Sequence, residues 1–443
     1  MSITQFTMEE VRCFGERQTF EIRPLTFFVG ENSTGKTTAL ACFHVLADYL
    51  RGRGVVFNGL SSTDSHPYSM GTFRDIVRSS RKKEKAFKLG FVSKHADEDI
   101  QWTIEFVEKT EGIEPVVSSI TIEFADGTIV IKTEDKIDVG ARLDSYDEKQ
   151  NQYRMVCEFD ILNSIPPFLI LSAFNRQDRE KDAFSKYLEK KSETFEENKH
   201  QLWSIWDTIS VFSTSPVRSR PKRTYDPTRE FNDPEGSDIP MYLTRIEATQ
   251  KENWEMLKEQ LIDFGKSSGL FQNIKIKKLG RSLGAPFQLQ FKVRGPTSNI
   301  IDVGYGVSQI LPILVQILSS DVSRNTRGIS RRSTFSFLQQ PEVHLHPKAQ
   351  AEFSSLLIKL ASRGHQSFIV ETHSDYMIDR ARVDIMRGNI RPEDVSLIYF
   401  EPKGRVVKVH NISFDKMANL IGAPTNYREF FLKESKRLMG FKD

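Results

Sequence analysis

The sequence is short of the features that would take it out of the ordinary globular class. It has only three cysteines, Cys13, Cys42 and Cys157, and their spacings do not suit a metal site. That argues against a disulfide-stapled secreted fold and for a reducing compartment. Long apolar runs are missing: nothing approaches the ~18 consecutive apolar residues of a membrane-spanning helix. The opening MSITQFTMEE lacks a charged-then-apolar targeting pattern. A cytoplasmic protein with no membrane attachment is therefore expected. An excess of one charge is missing as well. The formal net charge is +3, so whole-chain electrostatics does not announce a nucleic-acid binder and only local clusters could. Repeats and low-complexity tracts do not stand out. What is present is 443 residues, enough for two domains or one large domain with an insertion, at an ordinary globular composition of 38% hydrophobic and 27% charged residues.

Along the chain, PLTFFV (Pro24 to Val29) reads as a short buried strand, and TTALACFHVLADYL (Thr37 to Leu50) has helical apolar spacing. FKLGFVSK, DIQWTIEFVEK, SSITIEFADGTIVIKT and YRMVCEFDIL follow as alternating strands with polar turns, Asp126-Gly127 marking a hairpin. They predict an antiparallel lobe. Two helical, highly charged segments, Asp178 to Trp206 and Ile239 to Lys266, flank an irregular Pro/Arg-rich piece, and together they predict an inserted arm. Further strands, a helix after Gly306 and an αβ alternation continue to about His410. The expected division is 1–177 for an N-terminal lobe, 178–266 for the insertion and 267–443 for a C-terminal lobe.

GENSTGKT, Gly30 to Thr37, fits G-x-x-x-x-G-K-[ST] between a strand and a helix, the context such a loop requires. Gly30 and Gly35 let the backbone turn its N–H groups onto phosphate oxygens. Lys36 would reach the β- and γ-phosphates, and the Thr37 hydroxyl would ligate Mg²⁺. The start of the following helix adds a positive field. Asn32, Ser33, Thr34 and Thr38 complete the expected ATP-binding set.

Downstream come DVGYGVSQ, QQPEVHLHP and ETHSD. With Asn32 inside the phosphate loop, this order resembles the ABC/SMC-type ATPases. Among them it is most similar to the overcoming-lysogenization-defect (OLD)-like ATPases of bacterial anti-phage systems. STSPVRSRPKRTYDP and NYREFFLKESKRL extend the resemblance. It implies an α/β P-loop ATPase head with an antiparallel β lobe and an inserted helical arm. It also implies ATP sandwiched between two protomers, one giving the phosphate loop and the other a signature helix. The signature here would be Gly304, Gly306, Ser308 and Gln309, and His373 would be a switch histidine on the γ-phosphate.

The resemblance also exposes a departure. Where the wider class ends a strand with two acids, one for Mg²⁺ and one to polarise water, this chain has Gln339 and Gln340. Gln339 would keep the metal position through its carbonyl. A neutral amide orients water but cannot accept a proton at neutral pH. Glu342, two residues on, is the nearest carboxylate in sequence able to act as base. Slow hydrolysis is expected. His344 and His346 beside Glu342 also invite a zinc reading by spacing, but a helix cap or packed turn accounts for them and the resemblance favours that non-metal reading.

Arg218, Arg220, Lys222 and Arg223 lie within six residues, with Pro216 and Pro221 blocking helix. They could track a nucleic-acid backbone or pair with acids of another subunit. After His373 about seventy residues remain, too few for the fused topoisomerase–primase-type nuclease of many OLD-like proteins. The leading expectation is a regulatory ATPase, homodimeric or larger, controlling a separate nuclease or toxin as in the Septu and PARIS systems. The runner-up is a RecF-like DNA-repair ATPase clamping DNA directly. A transporter nucleotide-binding subunit is third, opposed by the β lobe and the arm.

Overall fold

The computed structural model of the protein describes residues 2–50, 57, 68–79, 85–95, 98–108, 114–125, 127–134, 141–147, 152–158, 209–227, 233–281, 284–327 and 333–427. Its centre is a seven-stranded sheet. In spatial order the strands are β10 (Ile209–Thr214), β14 (Ser333–Gln339), β15 (Gln366–Glu371), β3 (Leu25–Gly30), β16 (Val395–Lys403), β17 (Val406–Phe414) and β18 (Leu420–Ile421). The first five run parallel, and β17 and β18 are antiparallel additions at one edge. Parallel strands covered on both faces must be apolar on both. The sequences LTFFVG, STFSFLQ and QSFIVE meet that demand.

Successive side chains of these strands go to opposite cores, as a period of two requires. Phe28, Phe337 and Ile369 face one core with α1 (Lys36–Leu50), the short α2 (Phe73–Ile76) and the β lobe. Leu25, Phe27, Leu338, Phe368 and Val370 face the other, beneath the helices of the C-terminal half. The first core is rich in rings: Phe43 of α1 stands edge-on to Phe337 at 5.2 Å, and Phe28 lies 5.2 Å from Phe400.

The β lobe is an eight-stranded sheet built from β1 (Ser2–Glu9), β2 (Gln18–Glu21), β4 (Phe87–His95), β5 (Glu98–Val107), β6 (Val116–Phe124), β7 (Gly127–Glu134), β8 (Ala141–Asp147) and β9 (Gln152–Glu158). The hairpin expected at Asp126-Gly127 is the β6–β7 connection, with Phe124 opposite Gly127. One pairing breaks the antiparallel pattern: β7 and β9 run parallel. A smaller three-stranded sheet comprises β11 (Asn273–Lys278), β12 (Phe287–Lys292) and β13 (Thr297–Asn299).

The segment expected as an inserted arm behaves differently where it is described. Residues 178–208 lie outside the described residues. Ile209–Thr214 is strand β10, hydrogen-bonded to β14 inside the central sheet. The two helices α3 (Ile239–Thr249) and α4 (Lys251–Ser268) do not project. Trp254, Leu257, Leu261 and Phe264 recur at three- and four-residue intervals and bury one face of α4 in the second core. There α4 packs on α5 (Tyr305–Arg327) and α6 (Pro347–Ala361), with Phe264 edge-on to Phe353 at 6.3 Å. The charge that suggested an arm lies on the opposite, solvated face. Helix α7 (Asp375–Met386) packs beside α6.

Candidate nucleotide site

Parallel α/β sheets concentrate ligand sites at the carboxyl ends of their strands. Here β3, β15 and β14 lie side by side and all three end at the expected motifs. The loop after β3 turns through Ser33 at φ 62° and Gly35 at φ 85°. A side chain at Gly35 would collide with Cys13 Sγ and the Phe14 ring, so space as well as backbone angle demands glycine. Thr34 Oγ1 donates to Glu31 O at 2.8 Å, closing the turn. Lys36 is buried, its ammonium donating to Gly30 O at 3.0 Å and Glu31 O at 2.6 Å. Burial lowers its pKa, with Glu371 and Glu31 opposing the shift. Phosphate oxygens are the natural replacement for those two carbonyls.

The Thr37 hydroxyl meets both oxygens of Glu371, at 3.0 and 2.9 Å. Glu371 is the last residue of β15 and is 5% exposed. Its carboxyl pKa is raised by burial, against the Thr37 hydrogen bond and the Lys36 charge. Gln339 is its register partner on β14. Gln339 is buried too, and its side-chain nitrogen has no hydrogen-bond partner among the described residues. The buried ammonium, a hydroxyl held on a buried carboxylate and the inward-turned loop together fit a magnesium–nucleotide phosphate tail.

Sequence reasoning passed over Glu371, although it stands inside ETHSD. The available signal was a carboxylate at the end of a buried strand beside the loop. Arg12 was missed as well. From a left-handed backbone (φ 44°) its guanidinium reaches Thr38 Oγ1 at 3.1 Å and Met70 O at 2.8 Å, at the far end of the phosphate loop. Nothing in a loop between two strands announces such a contact.

Beyond β14 the chain turns sharply through Gln340 (φ 39°) and His344 (φ 69°). Gln340 N donates to Glu371 O at 2.8 Å, locking this turn to the neighbouring strand end. Glu342 is 7% exposed and its Oε1 accepts the backbone N–H of His373 at 2.7 Å. Burial raises its pKa against that hydrogen bond. The carboxylate therefore clasps the His373 loop, and the carboxylate in contact with the phosphate loop is Glu371. His373 itself is solvent-accessible, and partial burial of its ring, with Lys36 nearby, lowers its pKa. His346 caps α6, accepting from Lys348 N at 3.4 Å, and His344 stands edge-on to Tyr305 at 4.7 Å. The fold thus uses the two histidines in different ways.

Gly304–Gln309 opens α5 against this turn. A Cβ on Gly306 would lie 2.7 Å from His344 O, which explains the glycine. Ser308 is buried and donates to Tyr305 O one turn back in its own helix at 2.9 Å. Gln309 is buried as well. Gly304 and Tyr305 are exposed. Among the described residues no hydrogen bond joins Gly304–Gln309 to the phosphate loop. The chain brings together the loop, Gln339, Gln340, Glu342, Glu371 and His373, and leaves the signature residues outside that contact network.

The basic cluster is exposed at Arg220, Lys222 and Arg223 and buried at Arg218. Arg218 is 3% exposed, and its Nη2 donates to Gln339 O at 3.1 Å and Gln340 O at 3.2 Å. Burial holds its pKa down to about 10, with Glu342 pulling the other way. Arg223 grips Asp302 with two bonds of 2.8 and 2.6 Å. Arg220 and Lys222 are left facing a cleft of about 380 Å³ shared with Glu235. Only Arg218 of the four is internal; Arg220, Lys222 and Arg223 are exposed, the last in a surface ion pair with Asp302.

Among solved structures the chain is similar to the SMC head bound to the C-terminal winged-helix domain of ScpA. That match has 11% identity and a TM-score of 0.46, over 94% of this chain and 99% of that one. The SMC head domain from Thermotoga maritima matches at 10% identity and a TM-score of 0.39, over 92% and 98% of the two chains. A third match is the Pyrococcus furiosus Smc head with an extended coiled coil, bound to the C-terminal domain of ScpA. It has 10% identity and a TM-score of 0.42, over 98% and 99%. The family model described as AAA ATPase domain matches residues 1–378. With that match spanning most of its length, and with the phosphate loop folded between β3 and α1, the chain belongs to the AAA ATPase domain family.

Proposed function

We propose that the protein is a slow, magnesium-dependent ATPase whose ATP is shared between two protomers and whose assembly state controls a separate effector, a nuclease or toxin, in anti-phage defence. The observation that carries the nucleotide reading is the Lys36–Thr37–Glu371 constellation at the end of β3. Loop N–H groups and Lys36 would hold the β- and γ-phosphates, and Thr37 would hold Mg²⁺. The metal would supply charge neutralisation on the phosphate oxygens. His373 would donate a hydrogen bond at the γ-phosphate end. Gln340 would orient water without taking its proton, which favours a long-lived bound state.

The shared-site reading is supported by what surrounds the loop. Val217, Ile301, Tyr305 and Tyr376 are large, apolar and 43–69% exposed. Each adjoins a residue of the site: Val217 precedes Arg218, Ile301 precedes Asp302, Tyr305 touches His344 and Tyr376 follows the His373 loop. Exposed apolar groups in such a setting mark an association surface. The defence role rests on motif resemblance, which also points to a separate effector. The DNA-clamp alternative loses one cation of the cluster, Arg218, to the interior.

Mixed protomers test the shared site. Gly304 is exposed with open space at its Cβ position, so Gly304→Glu adds a charge at the signature without a clash. Lys36→Ala abolishes phosphate binding in the other half-site. Each variant alone should lack ATP-dependent dimerisation in sedimentation velocity, and the mixture should recover it through one intact site. A mixture as inert as its components would leave a monomeric ATPase as the better account.

A further inference from the structure

The two glutamines raise the question of where the metal-side negative charge resides. Mg²⁺ is a hard cation that takes oxygen ligands, and protein sites supply one or two carboxylates beside the phosphates. Gln339 at the end of β14 supplies only a neutral carbonyl. In the sheet order β14-β15-β3, the strand between Gln339 and the phosphate loop is β15. Its last residue, Glu371, is the register partner of Gln339 on one side and of Phe28 in β3 on the other. A carboxylate here lies one strand nearer the loop than an acid at position 339 would.

We propose that the metal-side acid of this site has moved across the sheet, from the β14 position held by Gln339 to Glu371 at the end of β15. Three independent observations support the assignment. Both Glu371 oxygens lie on the Thr37 hydroxyl, the group the loop offers to the metal, at 3.0 and 2.9 Å. The carboxylate is 5% exposed, and the Lys36 charge that favours its ionised form makes no ion pair with it among the described residues. A buried acid so placed is costly for stability alone. Finally, the backbone carbonyl of Glu371 fixes the turn after Gln339 by accepting from Gln340 N at 2.8 Å, so acid and water-side turn are set by one residue. The amide at 339 then follows from electrostatics. A second carboxylate on the adjacent strand, on the same face, would force one of the two to take up a proton.

This inference rests on the nucleotide reading above, and one titration series separates their failures. Binding of a fluorescent ATP analogue is measured with excess EDTA and with Mg²⁺, and Mn²⁺ uptake is followed by the loss of its free-ion electron paramagnetic resonance signal. The parent should bind nucleotide in both conditions and more tightly with metal. Glu371→Gln keeps the shape and an acceptor for Thr37 but loses the charge. It should forfeit tenfold or more in Mn²⁺ affinity while its metal-free nucleotide affinity stays within about threefold. Gln339→Glu combined with Glu371→Gln returns an acid to the adjacent strand and should restore part of the metal affinity. Should Glu371→Gln fail to fold, Glu371→Asp, which withdraws the charge by one methylene, should show the same loss in weaker form. Unchanged Mn²⁺ affinity in a folded Glu371→Gln protein, or in Glu371→Asp where that variant is the one that folds, overturns the assignment and makes the residue a clasp for Thr37 alone. A parent that binds no nucleotide with or without metal overturns the nucleotide reading instead.

Discussion

Replacing Arg218 with methionine isolates what a buried cation does behind the turn that carries Gln339 and Gln340. The side chain donates to two carbonyls at 3.1 and 3.2 Å, while its Nε and Nη1 have no partner among the described residues. Hydrogen bonds from a charged donor are worth ~1.5–3 kcal/mol each, so losing both removes about 3–6 kcal/mol. Against this stands the penalty of burying the charge. Burial brings the guanidinium pKa down to about 10, a cost of about 3 kcal/mol at pH 7. The sign is unfavourable to the parent: a lowered base holds its proton less tightly folded than unfolded, so the charged form costs stability throughout the neutral range. Methionine fills similar volume and removes that penalty. The two effects nearly cancel, leaving a net loss of about 0–3 kcal/mol. On ~2–4 °C per kcal/mol, scanning calorimetry should show a fall of about 10 °C at most. The local effect should be larger than the global one. With the two carbonyls released, Gln340 at φ 39° loses an anchor, so ATP turnover should fall at least tenfold with ATP affinity little changed. A protein that no longer folds would show that the cation does far more than hold two carbonyls. Unchanged turnover would show that the turn is held without it.

Two further expectations concern the same turn. Gln340→Glu restores a base at the water-side position, and steady-state turnover should rise by at least about tenfold with ATP affinity nearly constant; no increase would mean that water activation does not limit the rate. Glu342→Gln should flatten the pH dependence of stability. The Glu342 carboxyl is raised by burial, so its contribution is fully present below the unfolded value of 4.5 and is lost as pH rises through the folded value. Thermal melts from pH 4.5 to neutral should show the parent losing stability relative to the variant, and parallel curves would refute the account.

The phosphate loop was legible because its whole logic is local: eight consecutive residues, a strand before and a helix after. The central strands were legible for a related reason, since burial on both faces forces runs such as LTFFVG. The reading of Ile239 to Lys266 as an arm failed where a stripe was already present. Trp254, Leu257, Leu261 and Phe264 mark one buried face of α4, but the charged residues between them dominated the composition. Arg218 shows a deeper limit. Four clustered cations look alike in a sequence, and only carbonyls contributed 121 and 122 residues away determine that this one is internal. Glu371 was hidden by convention: the acid was sought on the strand where related chains keep it, and the adjacent strand supplies it.

Arg218 and Arg223 are five residues apart on one stretch of chain, the first bound to the turn after β14 and the second to Asp302 just before α5. Five residues span no more than ~18 Å even fully extended. While both grips hold, the turn bearing Gln340 and the mouth of the signature helix are joined by a cord of fixed length. Tyr305 and Gly306 against His344 close the same circuit from the other side. A displacement of the α5 tip that stretched this segment would therefore load the carbonyls of Gln339 and Gln340 as well as the Arg223–Asp302 pair. The outer end of α5 and the turn after β14 share one short length of chain.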